Sequence, residues 1–101
     1  MKAHEFLVSK DQWCQGNLSV NKDGVPTMPE SKNTCKWCLV GLIQKCYPSP
    51  ISRTKIYKQL IVALGGKLHK DRFDIGPLPS WNDNKERKFL EVKELLKKEN
   101  V

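Results

Sequence analysis

The sequence predicts an all-α fold: a compact bundle of about four helices in a single domain over residues 1–101, with a short β-turn or hairpin excursion near residues 18–26. Apolar residues recur at helical spacing in four stretches, and Gly- or Pro-rich punctuation separates them. The length of 101 residues suits one core, and a chain of this size buries roughly two thirds of its unfolded surface. Three Trp, three Phe and two Tyr exclude a low-complexity disordered chain.

The first helix is predicted over residues 3–14, from the spacing of Ala3, Phe6, Leu7 and Trp13/Cys14, with Gly16 as its stop. Asn21-Lys22-Asp23-Gly24 is strong turn chemistry, and it follows the alternating Leu18-Ser19-Val20. Residues 26–34 carry two Pro and many polar groups, and read as the longest connector. A second helix is expected to begin between Ser31 and Thr34 and to run to about Cys46, with Trp37, Cys38, Val40, Leu42 and Ile43 dense enough to be central. Gly41 inside it costs about 1 kcal/mol against Ala, which points to close packing against a neighbour. Tyr47-Pro48-Ser49-Pro50 ends that helix.

A third helix is predicted over 53–64 with Ser52 as its cap. Ile56, Tyr57, Leu60, Ile61 and Leu64 form its apolar stripe, and Gly65-Gly66 closes it. Lys67 to Ser80 reads as irregular, because Pro77 and Pro79 block long elements. The last helix is expected over roughly 85–99, with Phe89, Val92, Leu95 and Leu96 inward, and with two starts open: an Asp83/Glu86 capping box, or a later start near Lys88. The predicted core is Trp13, Trp37 and Trp81 with Leu7, Leu42, Ile43, Ile56, Leu60, Leu64, Phe89, Val92 and Leu96.

No apolar run approaches the roughly 20 residues of a membrane span, and Met1 to Phe6 carries no signal-peptide pattern. The expectation is a cytoplasmic protein with no membrane partner. In that reducing compartment Cys14, Cys35, Cys38 and Cys46 read as structural thiols. Cys35-Lys36-Trp37-Cys38 is a CxxC, yet Cys14 has no second ligand near it, so a structural zinc domain stays an alternative and no metal ligand or cofactor is assigned. His4 and His69 pair with no nucleophile by spacing. There is no phosphate-binding Gly loop, nucleophile elbow or HExxH, so no catalytic residue is assigned, and a Cys-dependent enzyme is the minor alternative.

Charge is more informative. The net charge is +7, of which +2 lies in residues 1–50 and +5 in residues 51–101. Arg53, Lys55, Lys58, Lys67, Lys70 and Arg72 are opposed only by Asp71, and they are the candidate binding residues. Lys55 and Lys58 share a helix face away from the apolar stripe. A basic face followed by a basic loop fits an acidic protein partner or a phosphate backbone; the competing reading is plain solvation. No helix-turn-helix, RNP or zinc-finger signature accompanies it.

Three stretches carry a resemblance. They are Trp13-Cys14-Gln15-Gly16 running into Asp23-Gly24-Val25-Pro26, then Trp37-Cys38-Leu39-Val40-Gly41, then Trp81-Asn82-Asp83 followed by Phe89 and Val92. Together they resemble an uncharacterised family of small bacterial and phage proteins, with Trp-Cys-x-Gly, Trp-Cys-x-x-Gly and Trp-Asn-Asp motifs. The chain departs from that pattern at Lys88, where the family usually offers a Thr cap, while Glu91 keeps its place. Cys35 and Cys46 lie outside the resemblance. It implies a fold and no reaction. Trp81-Asn82-Asp83 reads as a buried Trp anchor followed by Asx groups that cap the final helix and order the turn, in preference to a ligand or metal site. The function expected is that of a small non-enzymatic protein that docks onto a macromolecular partner, with a nucleic-acid-binding module as the alternative.

Overall fold

The computed structural model describes residues 1–101. Its elements are α1 (Ala3–Phe6), a 3₁₀ turn (Lys10–Gln12), β1 (Ser19–Asn21), β2 (Thr34–Trp37), α2 (Leu39–Cys46), α3 (Pro50–Ala63), α4 (Pro77–Asn82) and α5 (Phe89–Lys98). The all-α expectation is therefore overturned: helices combine with a two-stranded antiparallel sheet in a small mixed α/β fold.

The first predicted helix breaks after one turn. Leu7 is extended, and Ser9 and Gln12 form a reciprocal cap: the Gln12 side-chain oxygen accepts from Val8 N and Ser9 N, and Ser9 Oγ accepts from Asp11 N. That S-x-x-Q box is a restart signal in the sequence itself. Here it opens only a 3₁₀ turn, after which Trp13 lies parallel to Trp37 as an isolated β-bridge.

The second predicted helix starts too early. Residues 34–37 pair as strand β2 with β1, in the register Ser19↔Trp37, Val20↔Lys36 and Asn21↔Thr34, with a bulge between Val20 and Asn21. The excursion at 18–26 is a true reversal. Asn21 Oδ1 accepts from Asp23 N and Val25 N, Gly24 takes φ +79°, and Val20 bridges Pro26. The partner strand was unreadable locally. Thr34 to Trp37 is only four residues long, and an apolar helical run follows it directly.

Helix α3 begins three residues before the predicted start. Ser49, not Ser52, is its cap, and Pro50 occupies the first helical position, where its missing N–H costs nothing. The same logic explains α4, which the irregular reading of 67–80 missed. Pro77 and Pro79 sit in the first turn, and the buried Leu78 faces the core. Helix α5 takes the later of its two starts. Lys88 N donates to Glu91 Oε1 at 2.9 Å, and this bond, together with Arg87 at 2.9 Å, holds the Glu91 carboxyl below the usual range.

Helix α2 is central, and it contacts α1, α3, α4 and β2. One cluster of 16 buried residues forms the core, and it includes the predicted Leu7, Trp37, Leu42, Ile43, Ile56, Leu60, Val92 and Leu96. Trp13, Trp81, Leu64 and Phe89 pack against it only partly buried, while Ala3, Cys38, Leu39, Val40, Tyr57, Ile61, Leu78 and Val101 complete it. Gly41 is buried in α2 because the backbone of residue 18 runs against it; a Cβ there would stand 2.1 Å from Leu18 O.

Gly41→Ala should therefore cost about 3 kcal/mol or more, because a backbone carbonyl cannot yield as a side chain can. Gly24→Ala, which meets no atom but keeps φ +79°, should cost roughly 1 kcal/mol. Urea midpoints of the two variants measure the difference.

Candidate functional site

Two regions collect the chemistry-bearing residues. The first is the junction where the three Trp-containing stretches meet. Asn82, at the end of α4, is fully buried at 0% exposure. Its Oδ1 accepts from Trp13 Nε1 at 2.8 Å and from Leu39 N at 3.0 Å, and its Nδ2 donates to Cys14 O at 3.1 Å and Asp83 Oδ1 at 2.9 Å. Gln15 Nε2 donates to Asn82 O at 2.8 Å, and Gly16 N donates to Asp83 Oδ1 at 3.0 Å. Leu39 N belongs to the first turn of α2, where backbone donors lack helical partners. Cys38 caps the same turn, its Sγ accepting from Gly41 N at 3.4 Å.

Trp81 lies outside this knot but stiffens its exit. The Arg87 guanidinium stands 4.0 Å over the Trp81 ring, and its Nε donates to Trp81 O at 3.0 Å. The expectation of a buried Trp anchor followed by helix-capping Asx groups is corrected: Asn82 is the buried anchor, Trp81 is only partly buried, and α5 is capped by Lys88 and Glu91, five residues past Asp83.

The thiols near the knot are not poised for nucleophilic work. Burial, with the neighbouring Cys38 and Asp83 adding to it, pushes the Cys14 thiol up to about 12. Burial also raises Cys38 and Cys46. A reactive or redox Cys needs the opposite shift. No group of three or more Cys, His, Asp or Glu side chains is placed to hold a metal ion.

The second region is the basic stretch. Lys58, Lys67, Lys70 and Arg72 line one concavity of about 300 Å³, together with Leu68, His69 and Phe73, and Asp71 and Asp74 set two carboxylates among them. Lys55 sits beside it, on a shallower groove formed with Lys58, Gln59, Val62, Ala63, Leu68 and the acidic Glu99. Arg53 does not join them: its Nη2 donates to Pro48 O at 2.8 Å, beneath the cap of α3. The six predicted residues thus divide into four that converge, one adjacent and one that serves the turn.

Phe73 anchors the loop. It stacks on Tyr57 with ring centroids 6.4 Å apart, and Lys58 Nζ lies 5.7 Å from its centroid. Charge reasoning missed the apolar surface mingled with these cations. Val62, Leu68 and Phe73 are 57%, 48% and 45% exposed. Val62 falls one residue beyond Ile61 and so off the buried stripe, a signal the sequence did carry.

The family model for a family of unknown function, DUF6197, matches residues 1–98. The chain belongs to this family. No curated protein and no solved structure matches it. DUF6197 accounts for nearly the whole chain and supplies no activity, so function rests on the site geometry.

Replacing Asn82 by Leu should cost roughly 3 kcal/mol or more, because it strands Trp13 Nε1, Leu39 N and Cys14 O together; thermal unfolding against wild type checks it. In iodoacetamide labelling of the folded protein at about pH 8, Cys14 should stay unmodified and become reactive in urea, read by peptide mass.

Proposed function

We propose that this protein is a non-enzymatic binding protein that docks onto an acidic protein partner through the outer face of α3 and the loop at residues 67–74. One observation carries the reading: exposed Val62, Leu68 and Phe73 lie within a rim in which the cations Lys55, Lys58, Lys67, Lys70 and Arg72 outnumber the carboxylates Asp71, Asp74 and Glu99. Protein interfaces combine an apolar centre with a polar rim, and a phosphate backbone has no use for the aliphatic Val62 and Leu68. The cations steer an acidic surface toward the patch, and the apolar side chains hold it once water has left. Small size, the Lys- and Asn-rich composition and the resemblance to phage proteins support placing it among phage or mobile-element proteins that modulate a host factor.

The convergence of Lys58, Lys67, Lys70 and Arg72 around Phe73 favours a second reading, a nucleic-acid-binding module. There the cations neutralise phosphates and the exposed ring offers a stacking surface.

Fluorescence anisotropy separates the two. The labelled protein is titrated with a Glu/Leu amphipathic peptide, a poly-Glu peptide of equal charge, duplex DNA, single-stranded DNA and RNA, at about 50 and 200 mM salt. The protein-partner reading expects the Glu/Leu peptide to bind tighter than poly-Glu. Lys58→Glu with Lys70→Glu should weaken that binding about tenfold while the unfolding midpoint stays put, since both side chains are exposed. Micromolar binding of a nucleic acid with a steep salt slope, and none of the peptide, would replace it with the second reading.

A further inference from the structure

The three Trp-containing stretches do more than lock together: each lends a residue to one small cleft beside the knot. Gly16 and Asn17 come from the first stretch, Cys38 and Val40 from the second, and Asp83 from the third; Leu18, Ile75 and Pro79 complete the wall. The cleft holds about 240 Å³ and is distinct from the basic concavity. Its walls are chiefly aliphatic. Its one ionisable oxygen-bearing group is the Asp83 carboxylate.

That carboxylate is held in place and left unpaired. Oδ1 accepts from Gly16 N at 3.0 Å and from Asn82 Nδ2 at 2.9 Å. Oδ2 receives no hydrogen bond from the protein. Asp83 has no cationic partner, which it shares with every acidic side chain but Glu91, since ion pairing is confined to Arg87–Glu91. The two bonds to Oδ1 fix the carboxylate at the cleft wall and leave Oδ2 without a protein partner.

From this geometry we infer that the cleft is a binding site for a primary ammonium group on an unbranched aliphatic stem. The stem lies against Leu18, Val40, Ile75 and Pro79, and the ammonium meets Asp83 Oδ2. The stem of a lysine side chain, about four methylenes, is a chain of this kind, with an apolar body and a charged tip. A free alkylamine and a lysine presented on a peptide offer the same chemistry. An anion of the same length is repelled by Asp83, and an alcohol keeps only the apolar contact.

The test is chemical-shift mapping on the ¹⁵N-labelled full chain. The probes are n-pentylammonium, Nα-acetyl-lysine methylamide, 1-pentanol and hexanoate. The expected result is saturable shifts at the amides of Gly16, Asn17, Leu18 and Asp83 with n-pentylammonium, at a dissociation constant on the order of millimolar for so few atoms. Pentanol should bind more weakly, and hexanoate not at all. Saturation by the lysine derivative as well assigns the site to a presented lysine; saturation by n-pentylammonium alone assigns it to free amines. Asp83→Asn retains an Oδ1 that accepts from Gly16 N and Asn82 Nδ2, so it should fold while losing about fivefold in affinity for n-pentylammonium and nothing for pentanol. Leu18→Ala should weaken ammonium and alcohol alike. Absence of saturable shifts with n-pentylammonium overturns the proposal. Equal binding of pentanol, or an Asp83→Asn protein that binds n-pentylammonium as wild type does, also overturns it.

Discussion

A carboxamide taken out of water must find partners for its oxygen and both its hydrogens, and Asn82 finds them on segments that are far apart in the chain. The oxygen takes the Trp13 indole and the first-turn amide of α2; the nitrogen gives to Cys14 O and to Asp83. With all these groups satisfied the desolvation cost is offset, and the geometry admits one arrangement of the three segments. Remove the amide and several donors and acceptors lose their partners at once. The approach of the chain before β1, the start of α2 and the end of α4 are therefore interdependent. Gly41 belongs to the same constraint from the other side, since Leu18 O passes 2.1 Å from where a Cβ would stand.

The ends of the chain are drawn into the same body. His4 N donates to Val101 O at 3.0 Å, and Lys93 Nζ donates to the carbonyls of His4 and Leu7, the latter at 2.7 Å. Those carbonyls belong to α1 and its exit, so a lysine from α5 satisfies groups that a helix of one turn leaves open. Helix α1 is far too short to persist alone, and it exists because α2 and α5 receive it.

Against this scaffold the basic loop is held differently. It spans from the end of α3, closed by Gly65 at φ +84°, to α4, and its chief tie is the stacking of Phe73 on Tyr57. Rigid helices on either side set where its cations stand. The concentration of charge was legible in the residues themselves. That Arg53 would turn back to Pro48, and that Val62, Leu68 and Phe73 would share the cations' face, was not, because side-chain direction depends on the packing of α3 against α2 and α4. The cleft at Asp83 was hidden for a related reason. It is assembled from residues more than sixty positions apart, and nothing in the spacing from Gly16 to Asp83 announces that they touch.

By itself the sequence determined the helical stripes of α3 and α5, the Asn21–Gly24 reversal, the stop at Gly65, the need for close packing at Gly41 and the excess of positive charge. All of these depend on neighbours within about four residues along the chain, or on composition, and so they are written locally. The tertiary structure decided that 34–37 is a strand, that the first helix ends after one turn, that Pro77 opens a helix, and which cations converge. A four-residue strand has no periodicity to read; its hydrogen bonds go to residues 19–21, and its identity exists only once they are brought together. A buried amide is likewise only an asparagine in the sequence, until the donors and acceptors it satisfies arrive from elsewhere in the chain.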